Sequence, residues 1–176
     1  MRPFIIVLST VLGLISSFGL PHENFSADSG EHYSRPYREH LSIKVVHGSP
    51  AANWQMKRAA SIINTAADEG FFVEAADSPD ISLSMVKQID NNKGILGICS
   101  IDTQTWKAEV QIVTGLNDQQ RLAVMTHELI HALGISHSSN PNSLMFWSTN
   151  TRPNSQILTD DDLLNIRSAI EDFKTK

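Results

Sequence analysis

The sequence of 176 residues contains a single cysteine, Cys99. One thiol cannot form a disulfide within its own chain, so a fold held together by internal disulfides is excluded. Stability must therefore come from an apolar core and bound metals. Because Ile98 and Ile101 flank it in a strand-like run, we expect Cys99 to be a buried free thiol. Pairing with a cysteine of another molecule is the alternative.

Basic residues are also few, with 14 Lys and Arg against 19 Asp and Glu, a net charge of -5, and no basic patch. Nucleic acid is therefore not an expected partner. The hydrophobic content of 41% is ordinary for a globular protein that buries a real core. The length predicts one domain, and neither repeats nor a second domain are evident.

Long apolar runs are missing after residue 20, so we expect no membrane span beyond that point. Before it, Arg2 is followed by an apolar run from Phe4 to Ile15, and then by the small residues Ser17 and Gly19. This order is typical of a secretory signal peptide over residues 1–19. It predicts a secreted, extracellular protein (periplasmic if bacterial) without stable membrane insertion after cleavage. An uncleaved membrane anchor is the alternative.

The rest of the chain divides into a polar, irregular extension over residues 20–40 and one domain over residues 41–176. Apolar patterns predict five strands, which begin near residues 41, 71, 81, 95 and 108. Helical patterns predict three helices. The first follows Pro50, has Ala59, Ile62, Ile63 and Ala66 on its core face, and ends at Gly70. The second follows the cap Asn117, with Gln120 in capping-box position. Thr159 caps the last one, and Asp160, Asp161 and Asp162 charge its start. Strands and a helix first, then helices and irregular chain, indicate an α+β fold with segregated halves.

One stretch carries the chemistry, the pattern H-E-x-x-H-x-x-G-x-x-H from His127 to His137. His127 and His131 are four residues apart, so a helix places both on one face. Gly134 can adopt the left-handed conformation that ends a helix, and the turn brings His137 back as a third ligand. Three imidazoles with an open fourth position are typical of a catalytic zinc site, and Glu128 is the candidate general base.

This pattern, followed by Met145 in residues 143–146, resembles the metzincin zinc endopeptidases and their Met-turn. Ser138, directly after the third histidine, resembles the matrixin branch, which includes the matrix metalloproteinases. The resemblance extends loosely over Leu41 to Phe173. It implies a twisted mixed sheet of about five strands with two helices in an upper half, and a small irregular lower half that ends in a C-terminal helix.

The resemblance also implies a function. The chain would be a zinc-dependent endopeptidase that cuts protein or peptide substrates, with extracellular matrix proteins among the candidates. One zinc ion would be held by His127, His131 and His137, and it would activate a water molecule for Glu128. Met145 would form an apolar floor under the ligands, and we expect the protein to be a monomer.

Substrate contacts are expected along an edge strand and in one pocket. An extended peptide would add to the edge strand at Leu96 and Gly97. The pocket for the residue after the scissile bond would lie near Ala123, Phe146 and Trp147, with Pro153 as a further wall residue.

The chain also departs from the matrixin pattern. Residues 86–94 form a short loop without histidine, so we expect the structural zinc of matrixins to be absent. Calcium is undecided: Asp77, Asp90 and Asp102 are candidates, but solvated turn carboxylates are the favoured interpretation.

Two further alternatives are open. The scaffold could bind peptides without cutting them, although the presence of Glu128 favours an enzyme, or it could belong to another metzincin branch. The extension could also restrain activity if a carboxylate such as Asp28 or Glu23 occupied the fourth zinc position.

Overall fold

The computed structural model describes residues 5–11 (as backbone), 36–89, 94–146 and 158–175. Six strands and three helices follow one another along the chain. The strands are β1 (Ile5–Val11), β2 (Leu41–His47), β3 (Phe72–Glu74), β4 (Ile81–Val86), β5 (Ile95–Asp102) and β6 (Ala108–Val113). The helices are α1 (Pro50–Ala67), α2 (Asp118–His131) and α3 (Asp160–Lys174).

The strands form one mixed sheet in the order β1-β5-β6-β4-β2-β3. Strands β3, β2, β4 and β6 run parallel, whereas β5 is antiparallel to β6 and β1 is antiparallel to β5. The five predicted strands are therefore present as β2 to β6. The α+β order and the mixed sheet confirm the predicted fold class.

Strand β1 was not predicted, because its residues belong to the segment that the sequence assigns to a signal peptide. It pairs with β5 along its length, with Ser9 opposite Ile98 and Thr10 opposite Gly97. In the full chain β5 is thus covered, and in a chain without residues 1–19 it would be an edge. Removal of these residues stays a prediction.

One main core lies between the sheet and the helices. Helices α1 and α2 contact each other, and α3 contacts α1. Alternate strand residues such as Ile81 and Leu83 of β4 are buried against the helices, as a half-buried strand requires. Aromatic contacts of Phe173 with Phe71 and Trp106 seat the C-terminal helix.

The end of α1 corrects the sequence prediction. The helix ends at Ala67, three residues before the predicted terminator Gly70. Asp68 adopts the left-handed conformation with φ 61°, and its N–H donates to Asn64 O and Thr65 O. Aspartate tolerates this conformation better than most residues do, so it closes the helix before the glycine is reached. Ile62, expected on the core face, is 36% exposed.

None of the helices in the described part of the chain combines the length and the apolar character that a membrane crossing needs.

Candidate metal centre

Helix α2 begins at a capping box that fixes its register. The Asn117 side chain accepts from the N–H of Gln120, and the Gln120 side chain accepts from the N–H of Asn117. Two backbone donors that a helix start leaves unsatisfied are thereby bound, as the sequence predicted. From Val124 to His131 every residue of the helix is buried. The half of α2 that carries His127, Glu128 and His131 therefore lies inside the molecule.

The helix ends in a sharp turn at Gly134. Its φ is 79°, in the left-handed region that favours glycine, and its N–H donates to His131 O at 2.7 Å. The chain reverses there and returns toward the helix as His137. This confirms the predicted turn.

The turn brings three imidazoles together. The ligand atoms of His127, His131 and His137 all lie within 4.8 Å of one another, and no other such group of metal-binding side chains exists among the described residues. His131 Nε2 and His137 Nε2 are 3.2 Å apart. Tetrahedral zinc with Zn–N bonds of about 2.0–2.1 Å separates its nitrogens by about 3.3 Å. The spacing therefore suits a single zinc ion.

Hydrogen bonds to the backbone fix the tautomers of two of these rings. His127 Nδ1 is 2.7 Å from Leu144 O and His131 Nδ1 is 2.6 Å from Ile135 O. A carbonyl oxygen only accepts, so each Nδ1 carries the hydrogen and each Nε2 presents a lone pair. His127 Nε2 is buried without a hydrogen-bond partner. A buried acceptor in that state fits a metal ion, which would satisfy it.

Burial keeps the three rings neutral. It lowers the pKa of His127 to about 4, against a smaller opposing effect of the hydrogen bond to Leu144 O. Burial also lowers the pKa of His131 and of His137, and for His131 the neighbouring rings add to the effect. Because a metal binds only the neutral imidazole, the environment prepares all three rings for a cation.

Glu128 is fully buried next to His127 in sequence, at 0% exposure. Strand β5 passes directly over it at Gly97, where an added methyl group would lie 2.6 Å from Glu128 Oε1 and 2.6 Å from Val124 Cγ1. Burial, and then the charge of Glu128, raise the pKa of the Cys99 thiol well above its usual value. The predicted buried free thiol is thus confirmed, and its burial argues against pairing with another molecule.

The loop that carries Met145 closes the centre from the other side. Met145 and Leu144 are 1% and 3% exposed. Met145 O accepts from the N–H of Ser138, directly after the third histidine, at 2.8 Å. Its N–H donates to Ser143 Oγ at 2.8 Å. The Met-turn segment is therefore buried and hydrogen-bonded to the chain that carries His137.

The predicted substrate residues have varied positions. Gly97 is buried against Glu128, whereas Leu96 and Ala123 are partly buried at the edge of the main core and Phe146 is half-buried. Trp147 and Pro153 lie outside the described residues. The contacts of all these residues with a substrate stay predictions.

Asp77 and Asp102, the two candidate calcium ligands that the structure describes, belong to no cluster of metal-binding side chains among the described residues. Asp77 is exposed beside Lys44, and Asp102 Oδ1 accepts from the N–H groups of Gln104 and Thr105 within a turn. The Gln104 hydrogen bond is the main reason for the lowered pKa of Asp102. Asp90 lies outside the described residues. The solvated-turn interpretation suits the two acids that are described.

Two residues of the centre were missed by sequence reasoning. Ser143 and Asp162 are a buried polar pair joined at 2.6 Å, although Asp162 was expected only to charge the start of α3. Ser143 and Asp162 are ordinary polar residues in separate segments, and 19 residues separate them along the chain. The sequence therefore gives no signal of their contact.

A helix and turn that gather three neutral imidazoles beside a buried glutamate fit the centre of a zinc hydrolase. The sequence agrees with this class: the family model for matrixin matches residues 45–169. The chain therefore belongs to the matrixin family, and its sheet and helices are consistent with a matrixin catalytic domain. No curated protein matches the chain significantly.

Proposed function

We propose that this matrixin is an active zinc-dependent endopeptidase that hydrolyses internal peptide bonds of protein substrates. One observation carries the proposal, the convergence of three neutral imidazoles beside the buried carboxylate of Glu128. A peptide-binding scaffold without catalysis would need neither the third imidazole nor the adjacent base.

Three nitrogens would hold the metal: Nε2 of His127, His131 and His137. Bound zinc supplies Lewis-acid chemistry, since it polarises a carbonyl group and acidifies a water molecule. Glu128 then acts as general base: its carboxylate accepts a proton from the attacking water. It afterwards delivers that proton to the nitrogen of the leaving amine. Burial strengthens both transfers because little water competes around the carboxylate.

The substrate would bind as an added strand along β5. The pairing of Ile5–Val11 with β5 supports this, because an extended segment fits that side of the sheet in the antiparallel direction. Gly97, which pairs with Thr10, lies directly over Glu128. A peptide in the same place would bring its backbone to the general base, and main-chain hydrogen bonds would supply affinity. Leu96, Ala123 and Phe146 are the candidates for side-chain contacts.

The cellular context belongs to the same proposal. Secretion with loss of residues 1–19 would free β5 for substrates, and the predicted monomer would leave that edge accessible. The extension over residues 20–40 would restrain activity if it reached the metal, but Glu23 and Asp28 lie outside the described residues.

The test compares wild type with Glu128→Ala on casein or gelatin, with and without a metal chelator. Loss of a general base lowers the rate by about 10²–10⁴-fold. We expect the variant to retain zinc, because its three ligands are intact, and the chelator to abolish wild-type cleavage. Equal cleavage by the two proteins would contradict the role of Glu128 as general base. Zinc binding without cleavage by wild type would favour the non-catalytic scaffold.

A further inference from the structure

A buried polar pair behind the metal centre has no part in the proposed reaction. Ser143 and Asp162 are 4% and 2% exposed, and Ser143 Oγ donates to Asp162 Oδ1 at 2.6 Å. Burying a carboxylate costs free energy unless its oxygens are hydrogen-bonded. Both oxygens of Asp162 are hydrogen-bonded, since Oδ2 accepts from both the N–H and the hydroxyl of Thr159.

The two oxygens of Asp162 serve different elements. Oδ2 completes the capping box of α3 through Thr159. Oδ1 accepts from the hydroxyl of Ser143, which lies in the loop outside the helix. Helix capping therefore explains the two hydrogen bonds that Oδ2 accepts, but not the one that Oδ1 accepts.

Ser143 passes the contact on to the backbone of the loop. Its hydroxyl oxygen accepts from the N–H of Met145 at 2.8 Å, and its carbonyl accepts from the N–H of Phe146 at 3.1 Å. Leu144 lies between these bonded residues, and its carbonyl accepts from His127 Nδ1–H at 2.7 Å. The residues on both sides of Leu144 are thus connected to Asp162 through the hydroxyl of Ser143.

A metal-binding imidazole depends on the group that its second nitrogen binds. That partner sets the tautomer and the orientation of the ring. We propose that Ser143 and Asp162 form a positioning unit that holds Leu144 O against His127 and so sets the affinity of the centre for zinc. The inference rests on the proposed function, because it assumes that the three histidines bind zinc.

The test measures the zinc affinity of purified protein by competition with a chromophoric chelator. Ser143→Ala is the main variant, because it removes the link and leaves the Thr159–Asp162 cap in place. Removal of such a supporting partner weakens metal binding by about 10- to 100-fold. We also expect a changed absorption spectrum for the cobalt-substituted variant, because the ring of His127 is reoriented.

Matched controls come from the same helix turn. Asp160 and Asp161 are exposed, so Asp160→Asn and Asp161→Asn remove one charge each without touching the loop. Both should keep the wild-type zinc affinity. Ser143→Thr retains the hydroxyl and should restore most of the affinity that Ser143→Ala loses. Asp162→Asn should weaken zinc binding too, although it also perturbs the cap.

The outcomes separate the positioning role from a merely structural one. If Ser143→Ala lowers the melting temperature while zinc affinity and the cobalt spectrum stay at wild-type values, the pair only stabilises the fold and the proposal is wrong. If Asp160→Asn weakens zinc binding as much as Ser143→Ala does, general charge is responsible and the proposal is again wrong. Failure of wild type to bind zinc would instead contradict the proposed function.

Discussion

Strand β5 has one face toward the histidine helix and the other toward a small apolar cluster. On the first face, Gly97 lies against Glu128 and Cys99 is buried in the main core. On the second face, Ile98 packs with Ile89 and Val113. Successive side chains of a strand point to opposite sides, so eight residues of β5 serve both regions.

The two faces are held by different forces. The histidine face depends on hydrogen bonds that fix single polar atoms, such as Leu144 O against His127. The apolar cluster depends on burial, which is insensitive to direction. Ile89 belongs to the short loop whose sequence predicts no structural zinc, and its side chain is 1% exposed within this cluster. Apolar packing thus ties the described part of that loop to the sheet.

Zinc binding should have the largest effect on the free energy of unfolding, and it should act on the histidine face of β5. At free zinc about 1,000 times the dissociation constant, a ligand specific for the folded state adds about 4 kcal/mol to the free energy of unfolding. Denaturant titrations of metal-free and zinc-loaded protein measure this gain. We expect His137→Ala to lose most of it. In hydrogen exchange, protection should rise in α2 and the chain after Gly134. A rise in protection confined to β5 and Ile89 would show that zinc does not act on the histidine face.

Lowering the pH should destabilise the metal-free protein, and it should do so through the same histidine face. The pKa of His127 is about 4 in the fold against an ordinary 6.5. Between these values the unfolded chain binds a proton that the folded chain does not, so the free energy of unfolding falls as pH is lowered from about 6.5 toward about 4. This residue contributes on the order of 3 kcal/mol. The lowered pKa values of His131 and His137 act in the same direction.

Urea titrations of the metal-free protein across that pH range measure the effect. The variant His127→Gln lacks this titrating group and should show a flatter pH dependence. Wild type and His127→Gln with equal slopes would show that the buried ring is not responsible. The variant Ile98→Val should keep the wild-type slope, because its face of β5 carries no part of the histidine cluster.

The sequence predicted the histidine face better than any other region, because its ligands lie within one helix and one turn. The spacing of His127 and His131 follows from helix geometry alone, and Gly134 has the conformation that its position predicted. The capping box at Asn117 was predictable for the same reason, because its partner Gln120 is only three residues away. Local rules therefore sufficed wherever the contacting residues were neighbours in sequence.

Contacts between distant residues could not be predicted. The approach of Gly97 to Glu128 and the bond of Ser143 to Asp162 form only when a strand or a loop folds back onto a helix. Neither residue pair has a spacing that marks it in the sequence. The pairing of β1 with β5 was missed for a different reason, because an apolar run near the N-terminus also fits a signal peptide.

A methyl group at Gly97 tests the close approach on the histidine face. In Gly97→Ala, Cβ would lie 2.6 Å from Glu128 Oε1, so the carboxylate must move. We expect kcat on casein-derived peptides to fall on the order of tenfold, because displacement of a reacting group is costly. Zinc affinity should stay unchanged, since the three ligands keep their contacts.

Two other glycines provide matched controls for that variant. A methyl group at Gly70 would meet nothing within 4 Å, so Gly70→Ala should leave kcat unchanged. At Gly48 its nearest atoms would belong to Val45, Ala52 and Met85, with Val45 Cγ1 at 2.8 Å, so Gly48→Ala should lower stability without a specific loss of kcat. If Gly97→Ala and Gly48→Ala behave alike, crowding rather than displacement of the base explains the effect.

The smallest expected effect belongs to the apolar face. Ile98→Val removes one buried methylene-sized group and should lower the free energy of unfolding by about 1 kcal/mol. Zinc affinity and kcat should stay at wild-type values, because Ile98 points away from Glu128. Ile101→Val, on the core side of the same strand, is the matched control for stability. In the double variant with Ser143→Ala, the two stability losses should add within about 0.5 kcal/mol. A larger coupling, or weaker zinc binding by Ile98→Val, would show that the faces of β5 are not independent.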